Sequence, residues 1–167
     1  EYVPGDTLYA HLKSQGALPY RQVADIGQQI ASALAHAHAQ GIVHRDLKPE
    51  NIIAHIDADG RLQPRILDFG IAKVIASGQE KLTKTGMIFG TPSYMSPEQS
   101  RGDQVTKSTD IYSLGVLLYA MLCGKFPITA DTPAALFIAI GTKPPQPLSQ
   151  QMQTPLPSEV DSLVMAM

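Results

Sequence analysis

Between residues 20 and 40 the apolar positions Val23, Ile26, Ile30, Leu34 and Ala37 recur at three- and four-residue steps. That spacing puts them on one face of an α-helix. Pro19 near the start and Gly41 just past the end supply the expected terminal asymmetry. Further on, NIIAHI and LQPRILDF read as two short strands, with Asp57-Ala58-Asp59-Gly60 turning between them. Residues 70–105 show no long apolar period and are rich in Gly, Thr, Ser, Lys and Pro. They read as a long surface loop, a kind of segment that is usually functional. Residues 107–123 are apolar almost all round, the mark of a helix buried on every side, with Thr106 or Ser108 to cap it and Gly124 to end it. Residues 143–157 hold five prolines and read as an irregular surface segment; residues 158–167 resume a helical pattern through Val160, Leu163 and Val164. The pattern predicts a mainly helical protein with a small two-stranded hairpin.

Composition narrows the function classes. With 44% hydrophobic and 17% charged residues in 167, the chain can build one domain with a real core. A net charge of −2 gives no electrostatic reason to expect nucleic acid. Cys123 has no partner for an internal disulfide, which favours a reducing compartment. The start, EYVPGD, lacks the basic and apolar regions of a signal peptide, and it lacks an initiator Met. The apolar run Ile111–Cys123, 13 residues with polar interruptions, is too short for a membrane span. The expected setting is cytoplasmic with no membrane contact within this chain, and a membrane anchor elsewhere in a longer gene is compatible with it.

The chemistry concentrates in HRDLKPEN, His44 to Asn51. A loop carboxylate such as Asp46 can orient a hydroxyl and accept its proton as it attacks. Asn51 offers an amide oxygen, a hard ligand suited to Mg²⁺. Asp68, in Asp68-Phe69-Gly70 at the end of the second strand, offers another. With Lys48 nearby, the set suits phosphoryl transfer from a metal-bound nucleotide, where a protein mainly positions groups and neutralises charge. Duller readings suit other features. His36 and His38, two apart on a helix, do not share a face and make an improbable metal pair. Asp57–Gly60 lacks the remaining ligands of a calcium loop. Cys123 suits a small core position better than a reactive thiol. Pro144 to Pro147 spells PxxP, but an inter-helix loop is its simpler use.

His44–Asn51 followed by Asp68-Phe69-Gly70 resembles the catalytic core of the eukaryotic-type serine/threonine protein kinases, most closely those of bacteria. The resemblance spans nearly the whole chain. Glu1-Tyr2-Val3 is similar to the hinge between the kinase lobes, Gly90-Thr91-Pro92-Ser93-Tyr94-Met95-Ser96-Pro97-Glu98 to the substrate-docking end of the activation segment, with Ser96 where Ala is usual, and Gly124-Lys125-Phe126-Pro127 to a further family pattern. It implies the carboxy-terminal lobe of a kinase domain: a helical bundle with a small β-hairpin at the catalytic loop. It also implies roles. Asp46 is the base, Lys48 neutralises the transferring phosphate, and Thr91 with Lys48 points to Ser/Thr acceptors. Asn51 and Asp68 hold Mg²⁺. The backbone of Glu1 and Val3 meets the adenine of ATP, with Ile53 beneath the ring. His44 and Phe69 are packing residues, and Asp110 anchors the catalytic loop. Arg45 implies activation by phosphorylation, with Thr83 and Thr85 as acceptors.

No G-x-G-x-x-G loop and no V-A-I-K strand occur in the sequence. The reading therefore expects a partial domain, residues 1–167, cut at both ends, without the amino-terminal lobe and with little or no turnover alone. The family pairs the Glu98 position with a late Arg, yet no Arg follows Arg101, so Glu98 is expected to be a buried, unpaired carboxylate. The implied partners are protein substrates bearing Ser/Thr and a second kinase copy, as dimer or autophosphorylation partner. The competing readings are a non-catalytic kinase-like protein-binding module and, less well supported, a small-molecule phosphotransferase.

Overall fold

The structure is a computed structural model that describes residues 5–67, 92–152 and 155–167. A short strand β1 (Asp6–Thr7) leads into helix α1 (Leu8–Gln15), then the long helix α2 (Tyr20–Ala39). A 3₁₀ turn, Pro49–Asn51, enters the hairpin β2 (Ile52–Ile56) and β3 (Leu62–Ile66). A second 3₁₀ turn, Pro92–Tyr94, precedes α3 (Pro97–Arg101), α4 (Lys107–Cys123), α5 (Pro133–Thr142), α6 (Leu148–Gln151) and α7 (Ser158–Met165).

The two long helices carry the core. The predicted stripe of α2 is buried, with Val23, Ile26, Ile30 and Leu34 at most 3% exposed. Each such side chain contributes about 1.5–3 kcal/mol by leaving water. It meets α4, where Leu114, Leu117 and Met121 are buried. The crossing is close at Gly27, where an added Cβ would sit 2.7 Å from Leu118 Cδ2. Thr106 caps α4 in a capping box with Thr109, and Gly124 ends it at φ 69°.

The sheet has three strands rather than the expected two, in the order β1-β2-β3, all antiparallel. β1 is two residues long and is made by pairing Asp6 with Ala54 and Thr7 with Ile53, so no local pattern announces it. The predicted turn is present. Asp57 Oδ1 accepts from the N–H groups of Asp59 and Arg61, and Oδ2 accepts from Gln63 Nε2. The Arg61 N–H, then Gln63, hold this carboxyl below its ordinary range. These bonds commit Asp57 to its own hairpin.

Three further segments depart from expectation. Part of the expected 70–105 loop is helical: Ser96 caps α3 in a box closed by Gln99. The proline-rich 143–157 stretch contains α6, because Leu148 is fully buried and pins that turn to the core. Pro144–Pro147 joins α5 to α6. Helices α1 and α5, each with a Thr cap, are additions to the predicted set. Among the described residues no helix is long and apolar enough to cross a membrane.

Candidate active site

The loop between α2 and β2 is held from beneath by one carboxylate. Asp110, in the first turn of α4, is fully buried. Its Oδ2 accepts from the backbone N–H of His44 at 2.8 Å and from His38 Nε2 at 2.7 Å; its Oδ1 accepts from the N–H of Arg45 at 2.8 Å. A buried charge is tolerable only when it is saturated with donors in this way. His38, the last buried residue of α2, therefore serves the loop through Asp110, 72 residues further along the chain. His36 is exposed and its Nε2 meets Gln40 Nε2 at 2.8 Å, so the two histidines do part company as their spacing requires.

The chain then makes a tight reversal. Arg45 has φ 68°, the one positive φ at a non-glycine residue among those described. Such a conformation costs about 1–2 kcal/mol and persists only where surrounding bonds impose it. Here Asp110 takes the N–H of Arg45 and Gln99 Nε2 donates to its carbonyl at 2.7 Å. His44, fully buried, fixes the next residue: its Nδ1 accepts from the N–H of Asp46 at 3.2 Å. The ring proton is thereby assigned to Nε2, which donates to the Leu67 carbonyl at 3.0 Å. The N–H of Leu67 donates in turn to the Asn51 carbonyl at 2.8 Å, so the end of β3 is tied to both sides of the loop.

Three predicted side chains converge on this frame. Lys48 Nζ lies 3.1 Å from Asp46 Oδ2. Asn51 Nδ2 donates to the same oxygen at 3.1 Å and to the Asp46 carbonyl at 2.8 Å. With its nitrogen so used, Asn51 presents its amide oxygen as the atom for a cation. All three residues are half-buried. Ile53 is 8% exposed but lies outside the core cluster, on the opposite face of β2 from the core residues Ile52 and Ala54. Glu1, Val3, Asp68, Phe69, Thr83, Thr85 and Thr91 lie outside the described residues. Among those described, no cluster of three or more His, Cys, Asp or Glu is placed to hold a metal. A groove of about 1630 Å³ runs between α2 and β3, past Gln29, Arg61 and Arg65, and holds none of the converging residues. The site is identified by its chemistry, not by the size of a cavity.

The segment after residue 91 packs against the same frame. Ser113 Oγ donates to the Tyr94 carbonyl at 2.8 Å, and Tyr94 meets Phe126 edge-on at 5.3 Å between ring centroids. Glu98 departs from the sequence expectation. It is half-buried, not buried, and its Oε1 accepts from Thr109 Oγ1 at 2.6 Å. Burial pushes the Glu98 carboxyl up, but the Thr109 hydroxyl and smaller contributions from its own backbone, Ser96 and Arg101 outweigh it and leave it below the usual range. The polar contact is made within eleven residues by a hydroxyl at the start of α4, so no late arginine is needed for it. Gln99 and Thr109 are the residues that motif reading missed. The Ser-x-x-Gln spacing of a capping box was the available signal for the first.

Three comparisons extend this picture. A family profile described as protein kinase domain matches residues 1–166. The chain is similar to the serine/threonine-protein kinase drp72 of Corynebacterium efficiens, 48% identical over 147 residues, which cover 87% of this chain and 27% of that protein. It is 38% identical to the serine/threonine-protein kinase PrkC of Bacillus subtilis over 166 residues, 99% of this chain and 24% of PrkC. The chain thus spans about a quarter of the length of these curated relatives. Among solved structures, Rad53 1–466 in complex with AMP-PNP superimposes with a TM-score of 0.71 at 29% identity, over 98% of this chain and 40% of that one.

Proposed function

The chain belongs to the protein kinase domain family, and on that premise we propose that its gene product transfers the γ-phosphate of Mg-ATP to Ser/Thr hydroxyls of protein substrates. In this reading the 167 residues are the mainly helical lobe of the domain. The observation that carries it is the convergence of Asp46, Lys48 and Asn51 within 3.1 Å on a loop anchored by a fully buried aspartate.

The donor set fits the nucleotide and its metal. With its nitrogen engaged on Asp46, Asn51 has an amide oxygen to offer, a hard ligand of the kind Mg²⁺ prefers, and Lys48 supplies a compact cation on the same carboxylate. When bound, Mg-ATP supplies the phosphoryl group and neutralises much of the charge that develops on it. Asn51 and Asp68 would hold the metal. The backbone of Glu1 and Val3, with Ile53, would receive the adenine. The protein's own work is then orientation and proton transfer. Asp46, pinned through its backbone by His44 and through its carboxylate by Lys48 and Asn51, aligns the acceptor hydroxyl and takes its proton. Lys48 also faces the transferring phosphoryl, and with Thr91 it suits an aliphatic hydroxyl acceptor.

Regulation follows from Arg45. Its Nε is buried with no hydrogen-bond partner among the described residues. An unsatisfied guanidinium nitrogen supports the reading that a phosphorylated residue of the following segment pairs with it, Thr83 and Thr85 being the candidates. Replacing both with Ala is expected to abolish activation of the full gene product, and full activity retained would remove them from that role.

The deciding experiment is phosphate incorporation from labelled ATP by the full gene product and its Asp46→Asn variant. Loss of a positioned base lowers kcat by about 10²–10⁴ while nucleotide affinity stays nearly intact. Near-normal turnover by the variant removes Asp46 from the base role. A silent parent protein leaves the protein-binding module as the better account.

A further inference from the structure

We propose that Gln99 is a positioning residue for Asp46, a link that makes the catalytic carboxylate depend on the seating of α3. The inference rests on the kinase reading above and goes beyond it, since no motif assigns this glutamine a role.

Both ends of the Gln99 amide are used, in opposite senses. Oε1 accepts from the backbone N–H of Ser96 at 3.1 Å and from Ser96 Oγ at 3.3 Å, closing the capping box of α3. Nε2 donates to the carbonyl of Arg45 at 2.7 Å, 54 residues earlier. A reversed amide would set NH₂ against the Ser96 N–H and oxygen against the Arg45 carbonyl, so one orientation is imposed. Capping boxes accept Glu or Gln at this position. The cap alone would be served by either; the second end requires a donor, which Glu lacks when ionised.

The carbonyl so held belongs to the peptide that joins Arg45 to Asp46. Arg45 is in the left-handed region at φ 68°, and its N–H is already bound to Asp110. On the other side of that peptide the Asp46 N–H donates to His44 Nδ1. Asp110 and His44 fix the loop's backbone N–H groups, and Gln99 fixes the intervening carbonyl. Without it the 45–46 peptide is held at its N–H end alone, by His44 Nδ1 at 3.2 Å, and its plane tilts more readily, carrying the Asp46 side chain with it. Gln99 is the point at which the segment that would seat the acceptor peptide touches the segment that holds the base.

The test compares the full gene product with Gln99→Glu and Gln99→Ala, reading kcat, KM for Mg-ATP, and backbone amide hydrogen exchange. Gln99→Glu keeps the cap acceptor but, when ionised, sets a charged acceptor in place of the donor facing the Arg45 carbonyl; Gln99→Ala removes both ends without adding charge. A base displaced by a fraction of an ångström loses about tenfold in kcat; KM for Mg-ATP is expected to stay within about twofold, and the Asp46 amide to exchange faster while that of Ile30 does not. The ratio of Gln99→Glu to parent kcat is expected to rise toward acid pH, as a protonated carboxyl regains its donor, while the Gln99→Ala ratio stays flat. Unchanged kcat and unchanged Asp46 exchange in Gln99→Glu overturn the proposal. So does a parallel loss of kcat, nucleotide binding and Ile30 protection, which marks a purely structural role. If the parent protein phosphorylates nothing, the kinase reading fails separately, and Asp46 exchange alone decides the link: faster in Gln99→Glu upholds it, unchanged overturns it.

Discussion

Substituting Asp110 with Asn removes one charge and almost no volume, so its effect isolates what the carboxylate does for the loop. Three donors converge on two oxygens: His44 N–H and His38 Nε2 on Oδ2, and Arg45 N–H on Oδ1. Asn keeps one oxygen. Its best orientation serves the two donors at the Oδ2 position and sets its NH₂ against the N–H of Arg45, 2.8 Å from the atom it replaces. Losing a charge-assisted bond while stranding a buried N–H costs about 2–4 kcal/mol. That loss falls on Arg45, whose left-handed conformation already costs about 1–2 kcal/mol. The loop is therefore expected to open locally before the protein unfolds. At 1.4 kcal/mol per factor of ten, amide hydrogen exchange at His44 and Arg45 should speed up by roughly 30- to 1000-fold. The amide of Ile30 in mid-α2 should be unaffected. Asp110→Ala strands all three donors at a cost of roughly 3–9 kcal/mol, comparable to the whole stability of a domain. Exchange at His44 and Arg45 within about threefold of the parent in Asp110→Asn would refute the account, because bonds worth this much cannot be lost without exposing the amides they protect.

Four further outcomes follow from the same structure. Glu98 has a folded-state pKa below its unfolded value, so its contribution to stability is present above the unfolded value and lost as pH falls through the folded one; Glu98→Gln should flatten the acid limb of stability below the unfolded glutamate value, read by circular dichroism, and an unchanged limb would remove Glu98 from it. Burial pushes the Tyr119 hydroxyl up to about 12 and Tyr94 higher still, so stability that is intact below the unfolded tyrosine value should decline as pH rises above it. The Tyr119 hydroxyl is also buried without a hydrogen-bond partner among the described residues, so Tyr119→Phe should leave the thermal midpoint at pH 7 unchanged or raised, and a loss of more than about 1 kcal/mol would show a hydrogen bond there. Burial raises the Cys123 thiol against the smaller pull of Lys125, and its Sγ donates to the Tyr119 carbonyl at 3.3 Å; alkylation by iodoacetamide at pH 7.5 should run slower than that of glutathione, and a faster reaction would contradict a packing role.

What the sequence disclosed and what it hid divide along a physical line. Helix α2 was legible because its stripe has the helical period, and α4 because its caps and its all-round apolarity act within one segment. The hairpin was legible because Asp57 and Gly60 are turn residues for local reasons. β1 was not, since its two residues become a strand only by pairing with Ala54 and Ile53, nearly fifty residues on. α6 was masked by its flanking prolines, and only the burial of Leu148 fixes it. Within the site, Asp46, Lys48 and Asn51 sit within one short motif and could be read together. Thr109 and Gln99 act through partners that the fold brings near, and each also looks like an ordinary helix cap.

That double use is the more general point of the structure. Gln99 and Thr109 each complete a capping box and also bind a distant group: the Arg45 carbonyl for one, the Glu98 carboxylate for the other. The starts of α3 and α4 are thereby fixed to each other and to the loop that carries Asp46. A capping residue alone contributes about 1 kcal/mol and tolerates its chemical equivalents. A capping residue that also holds a second group does not, because Gln and Glu cap alike but donate differently. The strained φ of Arg45 needs such supports on both sides. On its N–H side stands Asp110, rooted in α4; on its carbonyl side stands Gln99, rooted in α3. A shift of either helix must therefore be felt first at the residue before Asp46. Under the proposed kinase reading, the loop that carries Asp46 is the place where such a shift would register.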